Sequence, residues 1–213
     1  MTSHPALRRL VFAVLALGLA TASAAAEPMA KPPTLTAAQL KALLPKLQKG
    51  GYVFYFRHTA TDMFMLDDNP VMGNCDTQRP LSDEGRNQAR SIGNAFRRNK
   101  IPVGLVKASP FCRAIDTARL AFERGEADEG LYFATRLTAP ERASKTAHLK
   151  RLLDKAPAEG SNTVIVAHNA NIMEAIGIWP DEEGDAFLFK PENGQAGAPL
   201  ARIPVDLWQN LNR

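Results

Sequence analysis

Two continuous apolar runs constrain the fold of this chain more than any other feature of its sequence. Residues 52–56 read YVFYF and residues 163–167 read TVIVA. Short runs of this kind, without regular polar alternation, are typical of strands that are buried on both faces. Such strands lie in the middle of a parallel sheet that helices cover on both sides. The two runs therefore predict an α/β fold.

Segments with helical periodicity alternate with the predicted strands. Helices are predicted at residues 36–49, where Pro45 favours a kink or an early end, after Ser82, after Ser109-Pro110, at 142–155 and at 171–178. Further strands are predicted at 103–108, 131–137, 186–189 and 200–204, with Trp208 packing the carboxyl-terminal end. The alternation predicts a single α/β domain over residues 36–213, with a mostly parallel central sheet and helices on both faces.

The amino terminus is typical of a secretory signal peptide. Arg8 and Arg9 precede an apolar run at 10–20 and small residues that suit cleavage, so residues 1–26 are predicted to be removed and 27–35 to form a leader segment. The apolar run is shorter than the roughly 18 to 20 residues that cross a bilayer. We therefore expect a periplasmic or secreted protein with no stable membrane span after cleavage.

The two cysteines, Cys75 and Cys112, fit an exported protein. An even number of cysteines in an oxidising compartment predicts one disulfide, and two buried free thiols are the alternative. Charge suggests no polyanionic partner, because removal of residues 1–26 takes away two arginines and no acid and leaves a formal charge of +2. No basic run or stripe is present, so we expect no nucleic-acid binding.

Unusual polar residues follow three of the predicted strands. Ligands in an open α/β sheet bind beyond the carboxyl ends of the strands, where helix amino termini also lie. Those ends carry Arg57-His58, Ser109-Pro110 with Arg113 one turn into the next helix, and His168-Asn169. The sequence therefore brings two arginines and two histidines toward one edge of the sheet.

This combination of residue types predicts a phosphate site. A single histidine at a strand end is usually structural, and a single arginine is usually a surface charge. Two of each at one edge favour an oxyanion, because guanidinium groups offer planar, permanently charged donors to its oxygens. A neutral imidazole carries a lone pair that can attack phosphorus.

The segments that carry these residues are FRHTAT, RPLSDEGRNQA, SPFCRAIDTA and VIVAHNANI, spread over about residues 45–180. In this order they resemble the histidine phosphatase superfamily, also called phosphoglycerate-mutase-like, and in particular small exported members such as lipopolysaccharide core heptose phosphate phosphatases. The chain departs from the family pattern at Thr59, where glycine is usual, and at Ala60, where an acid is common.

The resemblance implies a role for each matching residue. His58 is expected to be the nucleophile, and Arg57, Arg113 and His168 are expected to complete the phosphate pocket, with Asn169 beside them. Some branches of the family place an Asp after the second histidine, and this chain has Asn169 there, so the general acid must lie elsewhere.

Glu141, in the segment TAPER, is the nearest match to the acid that other branches use. It could equally be a solvated carboxylate at the start of a helix. Asp62, Glu183 and Asp185 are further candidates, although the DEEGD segment also fits a surface charge run. Residues 62–78, called the site loop below, are predicted to lie over the pocket, and the apolar segment 63–66 could touch substrate or anchor the loop.

The sequence therefore predicts an exported phosphomonoesterase that acts through a phosphohistidine on His58. We expect no metal and no cofactor, because the arginines supply the positive charge and no compact ligand set is visible. The expected substrate is a small-molecule or glycolipid phosphate ester. The alternatives are a non-catalytic anion-binding envelope protein with the same pocket, and a phosphomutase.

Overall fold

The computed structural model describes residues 31–67 and 69–211. The predicted signal peptide, residues 1–26, and the first part of the predicted leader, 27–30, lie outside the described residues. Residues 33–35 of the leader lie alongside the last strand of the sheet and are hydrogen-bonded to it. Leu35 N–H donates to the Arg202 carbonyl, and Arg202 N–H donates to the Pro33 carbonyl. Within the described residues, no helix is both long enough and apolar enough to span a bilayer.

A single six-stranded sheet forms the centre of the molecule. Its strands, in chain order, are β1 Val53–Arg57, β2 Val103–Ala108, β3 Glu126–Ala127, β4 Asn162–Ala167, β5 Ala186–Phe189 and β6 Ala201–Ile203. Across the sheet they lie in the order β3-β2-β4-β1-β5-β6, in which the β1–β5 and β5–β6 pairs are antiparallel and the β1–β4, β2–β4 and β2–β3 pairs are parallel. The predicted α/β fold with a mostly parallel sheet is confirmed.

The helices cover both faces of this sheet. They are α1 Ala37–Leu47, α2 Asp83–Arg98, α3 Cys112–Phe122, α4 Ala139–Asp154, α5 Asn169–Ile176 and α6 Val205–Asn210. Pro45 lies in the last turn of α1 without ending it early, and a capping box between Thr36 and Gln39 starts that helix.

The two apolar runs divide the core in two. Alternate residues of a strand point to opposite faces, so Phe54 and Phe56 join one cluster, with Phe96 and Trp208, while Val53 and Tyr55 join the other. The Trp208 ring lies 5.1 Å from the Phe96 ring, which confirms its predicted packing role. With β1 and β4 buried on both faces, the centre of the sheet is a rigid base for the residues that follow.

The predicted strand at 131–137 is wrong. Two short 3-10 helices, Glu129–Leu131 and Ala134–Arg136, occupy this segment. The Asp128 side chain accepts from Gly130 N–H and so favours a turn. The strand pairing falls earlier, at Glu126–Ala127, where β3 extends the edge of the sheet beside β2.

Candidate active site

The carboxyl ends of β1, β4 and β2 lie side by side. Arg57 is opposite Ala167 in the β1–β4 pairing, and His58 N–H donates to the Ala167 carbonyl. Ser109 N–H donates to the Val166 carbonyl in the same way. Because the sheet fixes these three chain ends, the segments that follow them meet at one edge, as predicted from the sequence.

His58 is buried, with 3% of its surface exposed. Its Nδ1 lies 3.0 Å from the Thr59 carbonyl oxygen. A carbonyl can only accept, so Nδ1 carries the proton and Nε2 keeps its lone pair. Burial, and then the positive charge of Arg113, hold the His58 pKa well below its ordinary value. The ring is therefore neutral, in the tautomer that a nucleophile at Nε2 requires.

His168 immediately precedes α5, and its ring centroid lies 5.3 Å from that of His58. Its Nε2 lies 2.8 Å from the Ser109 hydroxyl oxygen. Burial and the charge of Arg113 also lower the pKa of His168 well below its ordinary value. The two predicted histidines thus meet as neutral rings at the same edge of the sheet.

Arg113 is almost fully buried, at 1% exposure, in the first turn of α3. Its Cζ lies 4.6 Å from the centre of the Phe111 ring and 5.6 Å from that of Phe133. Burial lowers the Arg113 pKa to about 10, and the neighbouring Asp67 carboxylate opposes that shift. The guanidinium therefore keeps its charge at neutral pH.

Three buried nitrogen atoms in this region find no hydrogen-bond acceptor among the described residues. They are Nε of Arg57, Nε of Arg113 and Nδ1 of His168. Unmatched buried polar groups are rare and costly. Tetrahedral oxyanions carry several acceptor oxygens, so the three atoms fit an anion such as phosphate.

Glu183 is the candidate acid that the structure brings to the pocket. Its carboxylate accepts from Arg57 Nη2 at 3.2 Å and from Thr61 N–H at 2.8 Å, and it lies 3.9 Å from His58 Nδ1. Arg79 Nη2 is 3.7 Å away. A cleft of about 440 Å³ opens here, with Arg57, Arg79 and Glu183 in its lining.

The structure gives the other candidate carboxylates different partners. Glu141 is fully exposed and forms a capping box with Thr138, whose N–H and hydroxyl lower its pKa. Asp62 accepts from Phe64 N–H. Asp185, which burial gives a raised pKa, is bound by Arg202 at 2.6 and 2.7 Å.

Asn169 is the first residue of α5. Its side-chain oxygen accepts from Ala170 N–H at 2.8 Å, a contact within its own helix. Its predicted part in phosphate binding stays a prediction.

Three charged residues of this region were not predicted from the sequence as site residues: Asp67, Arg79 and Arg136. Asp67 binds Arg113 and lies 3.6 Å from Arg136 Nη2. The position of Arg79, directly before Pro80 in a segment that carries the family resemblance, was a usable signal. Asp67 lies in the site loop, where no periodicity predicts the direction of a side chain.

The two departures from the family pattern have local structural partners. Thr59 is buried, and its N–H and hydroxyl both pair with the Thr117 hydroxyl at 3.1 Å. The Ala60 carbonyl faces Gly85, where an added Cβ would lie 1.8 Å from the oxygen. Glycine at position 85 is thus required for α2 to approach the pocket this closely.

The disulfide between Cys75 and Cys112 is present, with the two Cα atoms 5.7 Å apart. The free-thiol alternative is therefore wrong. Met63, Phe64, Met65 and Leu66 are exposed, by 70, 100, 45 and 79% respectively, so they do not anchor the site loop to the core. Among the described residues, no group of three or more His, Cys, Asp or Glu side chains is arranged to hold a metal ion.

Comparison with known proteins agrees with this geometry. The sequence model of the histidine phosphatase superfamily (branch 1) matches residues 53–131, the segment that contains Arg57, His58 and Arg113. No curated protein sequence matches the chain significantly.

Two similar solved structures show the shared fold. The protein histidine phosphatase SixA, complexed with tungstate, is 17% identical, with a TM-score of 0.53, over 73% of this chain and 97% of that one. A mutant phosphoserine phosphatase from Entamoeba histolytica, in complex with phosphoserine, is also 17% identical, with a TM-score of 0.50, over 73% and 98%. The chain therefore shares the fold of these two structures, and its residues 53–131 are similar in sequence to the histidine phosphatase superfamily (branch 1).

Proposed function

We propose that this protein hydrolyses phosphate monoesters through a phosphohistidine on His58. One observation carries the proposal: a neutral His58 with a free Nε2 lies among two arginines and a second histidine that have unmatched buried nitrogens. The SixA structure with tungstate supports it, because tungstate shares the tetrahedral shape of phosphate.

In the first step, His58 Nε2 attacks phosphorus in line with the leaving oxygen. The N–P bond forms as the P–O bond to the leaving alcohol breaks. Arg57, Arg113 and His168 donate to the three remaining oxygens, where negative charge is concentrated, and so stabilise the transition state. In the second step, water attacks phosphorus, the N–P bond breaks and inorganic phosphate leaves.

Glu183 is the group we assign to proton transfer. Its carboxylate lies 3.2 Å from Arg57 Nη2 and 3.7 Å from Arg79 Nη2, beside the site proposed for the phosphate. In its protonated form Glu183 donates a proton to the leaving oxygen in the first step, and as the carboxylate it takes a proton from water in the second. Glu141 is less suited, because its carboxylate is exposed and accepts from the N–H and hydroxyl of Thr138 in a capping box.

We further propose that the protein is exported, to the periplasm or outside the cell, and works without a metal or a cofactor. The signal-like residues 1–26 and the disulfide support export. The resemblance to lipopolysaccharide core heptose phosphate phosphatases favours a glycolipid or small-molecule phosphate ester as substrate.

The test is turnover of p-nitrophenyl phosphate and of a panel of sugar and glycolipid phosphates by wild type and His58→Ala. We expect His58→Ala to lose at least about 10³-fold in kcat, as removal of a covalent nucleophile does. His148→Ala is the matched control, because His148 is half-buried, pairs with Asp128 and is not among the residues assigned to the phosphate, so the variant should keep wild-type activity. Retained turnover in His58→Ala would refute the nucleophile.

Two further measurements separate the alternatives. Acid-labile, base-stable phosphate trapped on His58 during turnover supports the intermediate, whereas phosphate binding without turnover by the wild type indicates a non-catalytic anion-binding protein. Transfer of the phosphoryl group to a second substrate hydroxyl instead of water indicates a mutase. Loss of activity in EDTA contradicts metal independence.

A further inference from the structure

The geometry points to Asp67 as a positioning residue that sets the orientation of Arg113, and to the disulfide as the link that keeps Asp67 in place. The inference rests on the proposed function, because it assigns Arg113 to the phosphate. It concerns the site loop, residues 62–78, and the first turn of α3.

Asp67 binds one terminal nitrogen of the Arg113 guanidinium. Arg113 Nη1 donates to Oδ1 and Oδ2 of Asp67 at 3.0 and 3.3 Å, and both side chains are shielded, at 1% exposure for Arg113 and 9% for Asp67. Nε of Arg113 has no acceptor among the described residues. The carboxylate therefore binds Nη1 of the guanidinium and leaves Nε for the phosphate.

Aromatic packing alone does not orient this guanidinium. Its Cζ lies over the Phe111 ring at 4.6 Å, but a ring face offers no directional acceptor, so changes in the side-chain torsions can still move the guanidinium across the ring. A hydrogen bond to one terminal nitrogen restricts that movement. Asp67 is the residue that makes this bond, so it determines which edge of Arg113 meets the substrate.

Asp67 is itself held. Arg79 N–H donates to Asp67 Oδ1 at 2.8 Å, which is the same oxygen that Arg113 Nη1 contacts at 3.0 Å. Arg136 Nη2 lies 3.6 Å from Oδ2. One backbone donor and two guanidinium groups therefore keep the carboxylate in a single position.

The rest of the site loop is attached to the residue before Arg113. Cys75 is bonded to Cys112, and Cys112 N–H donates to Gln78 Oε1 at 2.8 Å. Gln78 Nε2 donates in turn to the Val71 carbonyl at 2.9 Å. The loop that carries Asp67 and the turn that carries Arg113 are thus one covalently connected unit.

The opposite interpretation is that Asp67 occupies the place of the phosphate and competes with it. The two interpretations predict opposite effects of removing the Asp67 carboxylate. A positioning residue is needed for kcat, because misplacing a catalytic group by about 1 Å can reduce the rate by up to 10²-fold. A competitor, once removed, lets phosphate bind more tightly.

The experiment compares Asp67→Ala and Asp67→Asn with wild type, using kcat and KM for p-nitrophenyl phosphate and the Ki of inorganic phosphate. We expect Asp67→Ala to reduce kcat about 10- to 100-fold, with KM and Ki changed less than about threefold. Asp67→Asn should recover most of the rate, because one amide oxygen can accept from both Arg113 and Arg79. Asp76→Ala, an exposed acid in the same loop, is the control and should match wild type.

Tighter phosphate binding with unchanged or faster turnover in Asp67→Ala would overturn the inference and make Asp67 a competitor. Unchanged kinetics in that variant would also overturn it. Thermal unfolding of each variant checks the fold, and inorganic phosphate binding by calorimetry gives a readout that does not need turnover. If the proposed function itself fails, wild type shows no turnover that depends on His58, a different result from either of these.

The disulfide is tested with Cys75→Ser/Cys112→Ser, alone and combined with Asp67→Ala. If the disulfide acts through Asp67, the double cysteine variant loses kcat on its own but adds less than about twofold to the loss in Asp67→Ala. If the combined variant instead loses kcat by the product of the two separate losses, the disulfide acts on Arg113 by another route. That result would overturn this part of the inference.

Discussion

The two halves of the pocket are held by different kinds of interaction. The β1 half, with Arg57 and His58, is fixed mainly by its backbone: Arg57 N–H donates to the Asp185 carbonyl, and His58 N–H donates to the Ala167 carbonyl. In the α3 half the sheet also fixes the chain at Ser109, but the Arg113 guanidinium is held by side chains, namely the Phe111 ring and the Asp67 carboxylate, with the disulfide next to it.

This difference determines which changes each half tolerates. Backbone bonds between central strands survive the replacement of one side chain, so the β1 half keeps its geometry as long as the sheet is intact. Side-chain bonds are lost with the side chain that makes them. We therefore expect substitutions in the α3 half to affect catalysis and stability together at neutral pH, and substitutions in the β1 half to affect mainly catalysis at that pH.

The largest expected effect comes from removing either arginine. Arg57→Ala and Arg113→Ala should each reduce kcat/KM by about 10³-fold, because each loses charged donors to the phosphate. Arg113→Ala should also lower the free energy of unfolding by about 3 kcal/mol, since it leaves Asp67 shielded without its main partner. Arg57→Ala leaves Glu183 bound to Thr61 and near Arg79, so its unfolding free energy should change by less than about 1 kcal/mol. Urea unfolding measures both variants, and equal destabilisation by Arg57→Ala and Arg113→Ala would contradict the difference between the two halves of the pocket.

Loss of the disulfide follows, with an expected effect on the free energy of unfolding. The bond closes a loop between residues 37 apart in sequence, and the chain-entropy model gives about 4 kcal/mol for a loop of that length, with measured values often lower. Urea unfolding of wild type and of Cys75→Ser/Cys112→Ser measures this. The backbone bonds of the β1 half do not depend on the disulfide, so inorganic phosphate should still protect the reduced protein from unfolding. Loss of that protection would show that the two halves are not independent.

The pH dependence of stability should come from both histidines. His58 and His168 are neutral in the folded state because burial holds their pKa values well below the ordinary 6.5. Below about pH 6.5 the unfolded chain binds protons that the folded chain does not, so the free energy of unfolding falls as the pH falls. Each histidine contributes up to about 1.4 kcal/mol per pH unit. Comparing urea unfolding at pH 5 and pH 7 for wild type, His58→Asn and His168→Asn tests this, and each variant should show a weaker pH dependence than wild type.

The sequence predicted the β1 half better than the α3 half for a physical reason. Runs buried on both faces identify central strands, and the sheet then dictates where the residues after them lie, so the meeting of Arg57, His58 and His168 follows from local pattern. Arg113 was predicted in the same way, from its place one turn into α3. Its partner Asp67 was not, because it lies in an irregular loop whose path depends on a distant disulfide and on backbone contacts such as the one with Arg79.

The 131–137 segment and Glu141 show the same limit. Leu131–Leu137 contains enough apolar and aromatic residues for a strand, but turn-forming contacts at Asp128 decide its structure. Glu141 is an acid in a segment that resembles the family's, but its position three residues after Thr138 forms a capping box, and that local pattern determines what its carboxylate binds.

The smallest expected effect is therefore that of Glu141→Ala. If Glu141 only caps α4, the variant should lose a few degrees of Tm at most and keep kcat/KM within about twofold for every substrate. Glu183→Gln, in the β1 half, should behave in the opposite way, with little change in Tm and a loss that depends on the leaving group. The measured quantity is kcat/KM, which reports formation of the phosphohistidine and not its hydrolysis. An alkyl phosphate needs a proton on its leaving oxygen and should lose about 10²-fold or more in kcat/KM, whereas p-nitrophenyl phosphate, whose leaving group departs as an anion, should lose much less. If Glu141→Ala instead shows a loss that depends on the leaving group, Glu141 is the general acid. Glu183 then binds the arginines without transferring a proton.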